Sequence, residues 1–98
     1  SRVPWTGDLL MVWNNNPLGY KAGWQGRTPL TTALSRDEGK TWEEVRDIET
    51  NPQSGYGYTS VTWLPDRALL TYYHWKQGSP NFQNTDLVLH SLPKAFFE

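Results

Sequence analysis

The chain has 98 residues, with 9 Lys and Arg against 10 Asp and Glu, a net charge of -1 and no Cys. This length allows one small domain and excludes a two-domain enzyme, and the near-neutral charge gives no electrostatic attraction for nucleic acid or an anionic membrane. Without thiols there is neither a disulfide framework nor a thiolate zinc site, so the chain must fold by burying apolar surface. The longest apolar stretch, Leu9 to Trp13, is far shorter than the roughly 20 residues of a membrane span.

Short apolar and β-branched runs separated by Gly, Pro, Asn and Asp predict an all-β chain. The first three predicted strands cover about residues 8–14, 29–35 and 42–49, and the segment 18–28 between the first two is predicted to be a loop. Leu30, Thr32 and Leu34 alternate with Thr31, Ala33 and Ser35, as a half-buried strand requires. The third run carries charge on both faces and therefore predicts a solvated edge strand.

The second half is more apolar. Residues 58–64 and 68–74 flank Pro65-Asp66-Arg67 and predict a hairpin of inner strands, followed by a strand at 87–90 and a short tail at 92–97. Six strands at about four per blade correspond to one and a half to two blades of a β-propeller. From the start at Ser1, without a Met or a leader, we expect a processed or excised piece of a longer protein.

One motif links the second and third predicted strands. The segment Ser35 to Trp42 reads S-x-D-x-G-x-T-W, in which Asp37 can accept hydrogen bonds from the turn, Gly39 supplies positive φ, and Thr41 can bond back across the hairpin above Trp42. This pattern resembles the Asp-box, or BNR repeat, a structural turn on the outside of propeller blades. The resemblance makes residues 8–49 the last three strands of one blade and 56–92 the first three of the next, within a single partial propeller spanning 1–98. A catalytic role for Asp37 is the less favoured alternative.

The order of residues from Leu9 to Phe97 is similar to the C-terminal part of sialidases, six-bladed propeller exo-glycosidases. Arg27, in Gly26-Arg27-Thr28-Pro29, stands where sialidases place one of three arginines that bind the substrate carboxylate. A guanidinium suits this role because it matches a carboxylate bidentately and stays charged. The alternative is a loop arginine in water or in a surface ion pair.

The resemblance also implies a tyrosine nucleophile, the known exception among glycoside hydrolases. Tyr58 is the candidate, with Tyr56 as a rival or substrate contact on the same face of the strand. A tyrosine deprotonated by a nearby glutamate avoids the repulsion between an anionic nucleophile and the sugar carboxylate. Alternatively, both tyrosines pack against Trp13 and Trp63.

Three residues depart from the family pattern. Thr59-Ser60 replaces Ser-Asp after the tyrosine, and Tyr73 replaces a glutamate that orients an arginine in sialidases. The partner glutamate, the acid/base aspartate and the other two arginines lie in earlier blades of such enzymes. The glutamates of the third strand, Glu43, Glu44 and Glu49, are not expected to replace them.

Other chemistry has less support. His74 and His90 stand on different strands with no Cys, so no metal site or cofactor is predicted. The indoles of Trp5, Trp24 and Trp75 lie in or near predicted loops, where they could stack on sugars or fill space between blades.

The expected function is thus the C-terminal segment of a sialidase-like hydrolase acting on acidic sugars. The alternatives are a non-catalytic carbohydrate-binding or scaffold propeller, or an enzyme acting on uronic-acid glycans. Expected partners are the acidic glycan and the remaining blades or copies of this chain, because two open blades leave exposed edges and should be inactive alone. The family resemblance implies a secreted or periplasmic location.

Overall fold

The described part of the computed structural model, residues 1–19, 26–76 and 85–98, is all-β. Six strands occur there in two three-stranded antiparallel sheets, ordered β1-β2-β3 and β4-β5-β6. The strands are β1 (Leu9–Asn14), β2 (Leu30–Ser35), β3 (Glu43–Glu49), β4 (Ser54–Trp63), β5 (Arg67–Lys76) and β6 (Thr85–Pro93), followed by a 3₁₀ turn at Lys94–Phe97. The all-β prediction is confirmed, while the assignment of these sheets to propeller blades stays a prediction. Part of the loop predicted at 18–28 lies outside the described residues.

The fourth strand begins four residues earlier than predicted, at Ser54 rather than at Tyr58. Gly55 and Gly57 pair with Trp75 and Tyr73 of β5 and contribute no side chains of their own. Because glycine hides the alternation of apolar and polar residues, the sequence could not show that the strand had already begun.

The third strand is the exposed edge that the sequence predicted. Its first three residues are exposed, and within the described residues it pairs with β2 alone. By contrast, all six residues of β2 are buried. Charged side chains on an outer strand discourage pairing with another chain, which fits the composition of β3.

One buried cluster contains side chains of both sheets and of the chain ends. Leu34 from β2 and Leu70 and Tyr72 from β5 are each about 1% exposed, and Val3 and Phe97 are fully buried with them. Alternation along β5 sends Leu70 and Tyr72 to this cluster and Tyr73 to the opposite face. Burial of this apolar area is the main favourable contribution to folding in a chain without disulfides.

The turn between β2 and β3 is organised by Asp37. Its carboxylate accepts hydrogen bonds from the Thr41 N–H (2.8 Å) and hydroxyl (2.6 Å) and from the Ser35 hydroxyl (2.9 Å). Gly39 adopts φ 87° and donates its N–H to the Ser35 hydroxyl. The Trp42 indole packs beside Gly39 but remains 37% exposed. Asp37 is thus fully engaged in holding the turn.

An Arg and several aromatic rings connect the C-terminal turn to both sheets. The Arg46 guanidinium of β3 lies 3.7 Å from the centroid of the Phe96 ring and donates a hydrogen bond to the Phe96 carbonyl. Phe97 contacts the rings of Trp5 and Trp63, at centroid distances of 5.8 and 5.2 Å. The chain terminus is thereby tied to β3 and β4.

We expect Leu70→Ala to lower the free energy of unfolding by about 2–5 kcal/mol, because it leaves a cavity in the shared cluster. The matched control is Leu18→Ala, since Leu18 is exposed in a loop; a change within about 0.5 kcal/mol is expected there. Urea unfolding of both variants measures the difference. Equal effects at the two positions would contradict the assigned core.

The Asp37 carboxyl makes stability depend on pH. Hydrogen bonds from Thr41 hold the pKa of Asp37 below its ordinary value in the folded state. Its contribution is therefore present above the ordinary carboxyl pKa of about 4 and is lost as pH falls through the lower folded pKa. Asp37→Asn should make the acid limb of the stability profile shallower, and Thr41→Val should do so in part. Thermal unfolding between pH 2 and 6 tests this; superimposable acid limbs would refute it.

Candidate functional site

A β-bulge in β4 turns Tyr58 away from the core. Gly57 pairs with Tyr73 and Ser60 with Thr71, so two residues of β4 stand opposite one residue of β5. Tyr58 itself has φ 57°, in the left-handed region that non-glycine residues rarely occupy. Its side chain is 68% exposed, whereas Tyr56 is 2% exposed. The prediction that the two tyrosines share one face was therefore wrong, because the bulge interrupts the alternation.

Arg27 approaches β4 from the segment that leads into β2. Its Nη1 atom lies 3.5 Å from the position that a Cβ on Gly57 would occupy. The Trp75 ring lies 3.4 Å from the same position. Two segments that are distant in the sequence thus place a cation and an indole next to Gly57, the last residue of β4 that pairs with β5 before the bulge.

An aromatic cleft of about 300 Å³ opens beside this point, lined by Tyr58, Tyr73, Trp75 and Thr85. The rings of Tyr58 and Tyr73 meet edge to face, with centroids 5.9 Å apart and an interplanar angle of 77°. Trp75 belongs both to the wall of the cleft and to the contact over Gly57. The cleft offers ring faces and edges to a ligand, with a hydroxyl at Thr85.

Tyr56 has a different environment from the one predicted. It stacks on His74 at 5.2 Å and meets Tyr72 edge to face at 6.1 Å. Burial raises the pKa of its hydroxyl above the ordinary value, although a hydrogen bond with Ser54 opposes the shift. Tyr56 is part of the core between the sheets, and this position is unsuited to direct contact with a substrate.

A tyrosine and a glutamate do form a pair in this protein, but not at the predicted nucleophile. The Tyr72 hydroxyl donates a hydrogen bond to Oε2 of Glu49, at 2.9 Å. Burial, with the neighbouring Glu49 carboxylate, raises the pKa of Tyr72 far above its ordinary value. The pair therefore keeps the proton on Tyr72 and connects β5 to β3. Sequence analysis missed it because the two residues meet only when the sheets pack together.

A second polar group joins the three strands of the second sheet. Nε2 of His74 lies 2.8 Å from the Ser54 hydroxyl, and Nδ1 lies 3.6 Å from the Asp86 carboxylate. The residue types are those of a hydrolytic triad. However, Ser54 is 2% exposed, so a substrate carbonyl cannot reach its hydroxyl. The arrangement supports a structural role.

The Tyr58 hydroxyl has no hydrogen-bond partner within residues 1–19, 26–76 and 85–98, and no carboxylate lines the cleft there. Of the departures from the family pattern, Tyr73 forms a wall of the cleft, while Thr59 and Ser60 border a separate opening of about 320 Å³ near Val12. The described residues therefore bring Arg27 and Tyr58 to one region without supplying a base.

The three tryptophans that could stack on sugars differ in their environments. Trp75 lines the cleft, whereas Trp5 packs on Trp63 and donates its indole N–H to the Pro65 carbonyl. Trp24 lies outside the described residues. In the part of the chain that the structure covers, no three metal-binding side chains come together and no helix is long and apolar enough to cross a membrane.

Comparison of the chain with models of known families, with curated proteins and with solved structures finds no match. The similarity to sialidases thus depends on the motifs of the sequence alone.

We expect Tyr72→Phe to lower the free energy of unfolding by about 1–3 kcal/mol, because Glu49 loses its buried hydrogen-bond donor. Tyr58→Phe removes the same atom from an exposed tyrosine and should leave stability nearly unchanged. Denaturant unfolding of the two variants at neutral pH is the measurement. Greater destabilisation by Tyr58→Phe would reverse the roles assigned to these residues.

Proposed function

We propose that this chain contributes the acidic-sugar site of a sialidase-like glycoside hydrolase. The observation that carries the proposal is the position of the Arg27 guanidinium over Gly57, next to the Trp75 wall of the aromatic cleft that contains Tyr58. A cation for a carboxylate and ring faces for the apolar side of a sugar are the two contacts that such a ligand needs.

In this proposal Arg27 binds the carboxylate of the sugar. Its guanidinium cannot lose its charge at working pH and can donate two parallel hydrogen bonds, which favours a planar carboxylate over a hydroxyl. A uronic acid offers the same carboxylate, so a uronic-acid glycan is an alternative ligand.

Tyr58 is the proposed nucleophile. Its hydroxyl is exposed at the cleft, and the bulge holds the side chain outward from the sheet. Attack by the phenolic oxygen on the anomeric carbon would form a glycosyl-tyrosine bond as the leaving-group bond breaks, and water would then hydrolyse this intermediate. The base that takes the tyrosine proton and the acid that protonates the leaving group must come from elsewhere, since none lies among the described cleft residues.

A non-catalytic carbohydrate-binding propeller is the second candidate. It is favoured by the engagement of Glu49 with Tyr72 rather than with Tyr58. A site with the arginine and the rings but without a base can bind an acidic sugar and cannot activate the tyrosine.

The proposal includes partners for the second sheet. Leu87 and Leu89 of β6 are 68% and 60% exposed, and Leu87 pairs with Tyr73, which is also exposed. In the sheet order β6 has no neighbour beyond β5 within the described residues. We expect further blades, or copies of this chain, to cover this face. The sialidase resemblance also implies a secreted or periplasmic location, which is part of the same proposal.

Binding of free sialic acid and hydrolysis of a fluorogenic sialoside test both candidates. Arg27→Ala should weaken binding about 10- to 100-fold, the effect of losing a charge-assisted hydrogen bond to a carboxylate, whereas a neutral hexose should be bound equally by both proteins. Hydrolysis is measured with the further blades present, because the base and the acid do not lie among the described cleft residues. If the site is catalytic, this assembly hydrolyses the sialoside, and Tyr58→Phe abolishes hydrolysis and spares binding; if the site only binds, the assembly shows no hydrolysis. Unchanged affinity in Arg27→Ala would contradict the proposal in either form.

A further inference from the structure

The indole of Trp75 lies directly on the backbone of β4, where two glycines leave room for it. A Cβ on Gly55 would stand 2.5 Å from both Cε2 and Nε1 of Trp75, closer than side-chain carbons approach other atoms. Trp75 is 4% exposed, although Tyr73 on the same face of β5 is 44% exposed. The absence of side chains at these glycines therefore lets the indole pack in one position against the β4 backbone.

The Arg27 guanidinium also lies next to Gly57. One ring atom of Trp75 and Nη1 of Arg27 lie 3.4 and 3.5 Å from the position of an added Cβ on Gly57. Both distances are ordinary van der Waals contact, so a methyl group fits at Gly57, whereas it does not fit at Gly55. The guanidinium and a ring that is itself fixed by packing on Gly55 thus border the same space.

This proximity matters because an arginine side chain has many conformations. Its flexible stem loses about 2 kcal/mol of rotamer entropy when it is fixed. A ring that already restricts the guanidinium reduces the entropy that carboxylate binding must still remove.

We propose that Trp75, held by Gly55 and Gly57, is a positioning residue that orients the Arg27 guanidinium and thereby sets the preference of the site for a carboxylate. This inference rests on the proposed function, in which Arg27 binds the acidic sugar. In addition to pairing with β5, the Gly55-Tyr56-Gly57 segment of β4 offers a flat surface on which the indole packs.

The first test compares Trp75→Leu with Trp63→Leu. Trp63 stands at the other end of β4, in contact with Trp5 and Phe97, and is the matched control for loss of a packed indole. Affinities are measured for sialic acid and for its methyl ester, because direct stacking on Trp75 would change both alike. We expect Trp75→Leu to lower the ratio of acid to ester affinity about five- to tenfold, because the Arg27 side chain must then be ordered when the carboxylate binds. Trp63→Leu should leave the ratio unchanged.

A second measurement does not depend on the ligand. The side-chain N–H signals of Arg27 in NMR spectra should move toward those of a solvated arginine in Trp75→Leu and stay in place in Trp63→Leu. If the unmodified chain binds no acidic sugar but the Arg27 signals move, the positioning role holds and the proposed function fails. If the signals and the ratio both match those of the unmodified chain, the positioning role is refuted.

Gly55→Ala keeps the test decisive where Trp75→Leu does not fold. Its added methyl would stand 2.5 Å from Cε2 and Nε1 of Trp75, so the indole must move. A shift of the Arg27 signals with a reduced ratio supports the inference. A folded Gly55→Ala protein with unchanged signals and an unchanged ratio overturns it.

Discussion

The packing of one apolar face of each sheet against the other is the constraint on which the rest of the structure depends. The sequence has no Cys, so no disulfide can stabilise the fold. The burial of apolar side chains such as Leu34, Leu70 and Tyr72 must therefore provide the stability. This packing also decides the polar partners, since the Tyr72 hydroxyl inside the layer is satisfied by Glu49 from the other sheet. A carboxylate that is needed to complete a core is no longer available as a base, and the fold thereby restricts the chemistry of the site.

The strand β4 buries one tyrosine and exposes another within its ten residues. Its first half buries Tyr56 between the sheets, and its bulge presents Tyr58 to solvent. Regular alternation would place both on one face, so a local break is required. The left-handed conformation of Tyr58 costs roughly 1–2 kcal/mol, and packing on either side of the bulge must offset that cost. Strain of this kind in an otherwise regular strand is frequent at functional positions, and here it stands at the aromatic cleft.

The described residues around the cleft provide the contacts for binding an acidic sugar but no base for the proposed reaction. Arg27 supplies the charge, Trp75 and Tyr73 supply ring surface, and Tyr58 supplies a hydroxyl without a hydrogen-bond partner among the described residues. General acid or base catalysis needs a second titratable group within reach of the reacting proton. In the proposed propeller, another blade would provide that group, next to the exposed apolar face of the second sheet.

The sequence by itself determined the local features: the all-β class, the six strands, the charged edge strand and the turn built on Asp37. Each of these follows from residues close in the chain, whose alternation, turn chemistry and charge act over short range. Only the tertiary structure decided which tyrosine is buried, that the Tyr72 hydroxyl donates to Glu49, and that Arg27 and Trp75 both lie next to Gly57. These outcomes depend on a bulge, on the stacking of two sheets and on the absence of side chains at two glycines, none of which leaves a periodic signal in the sequence.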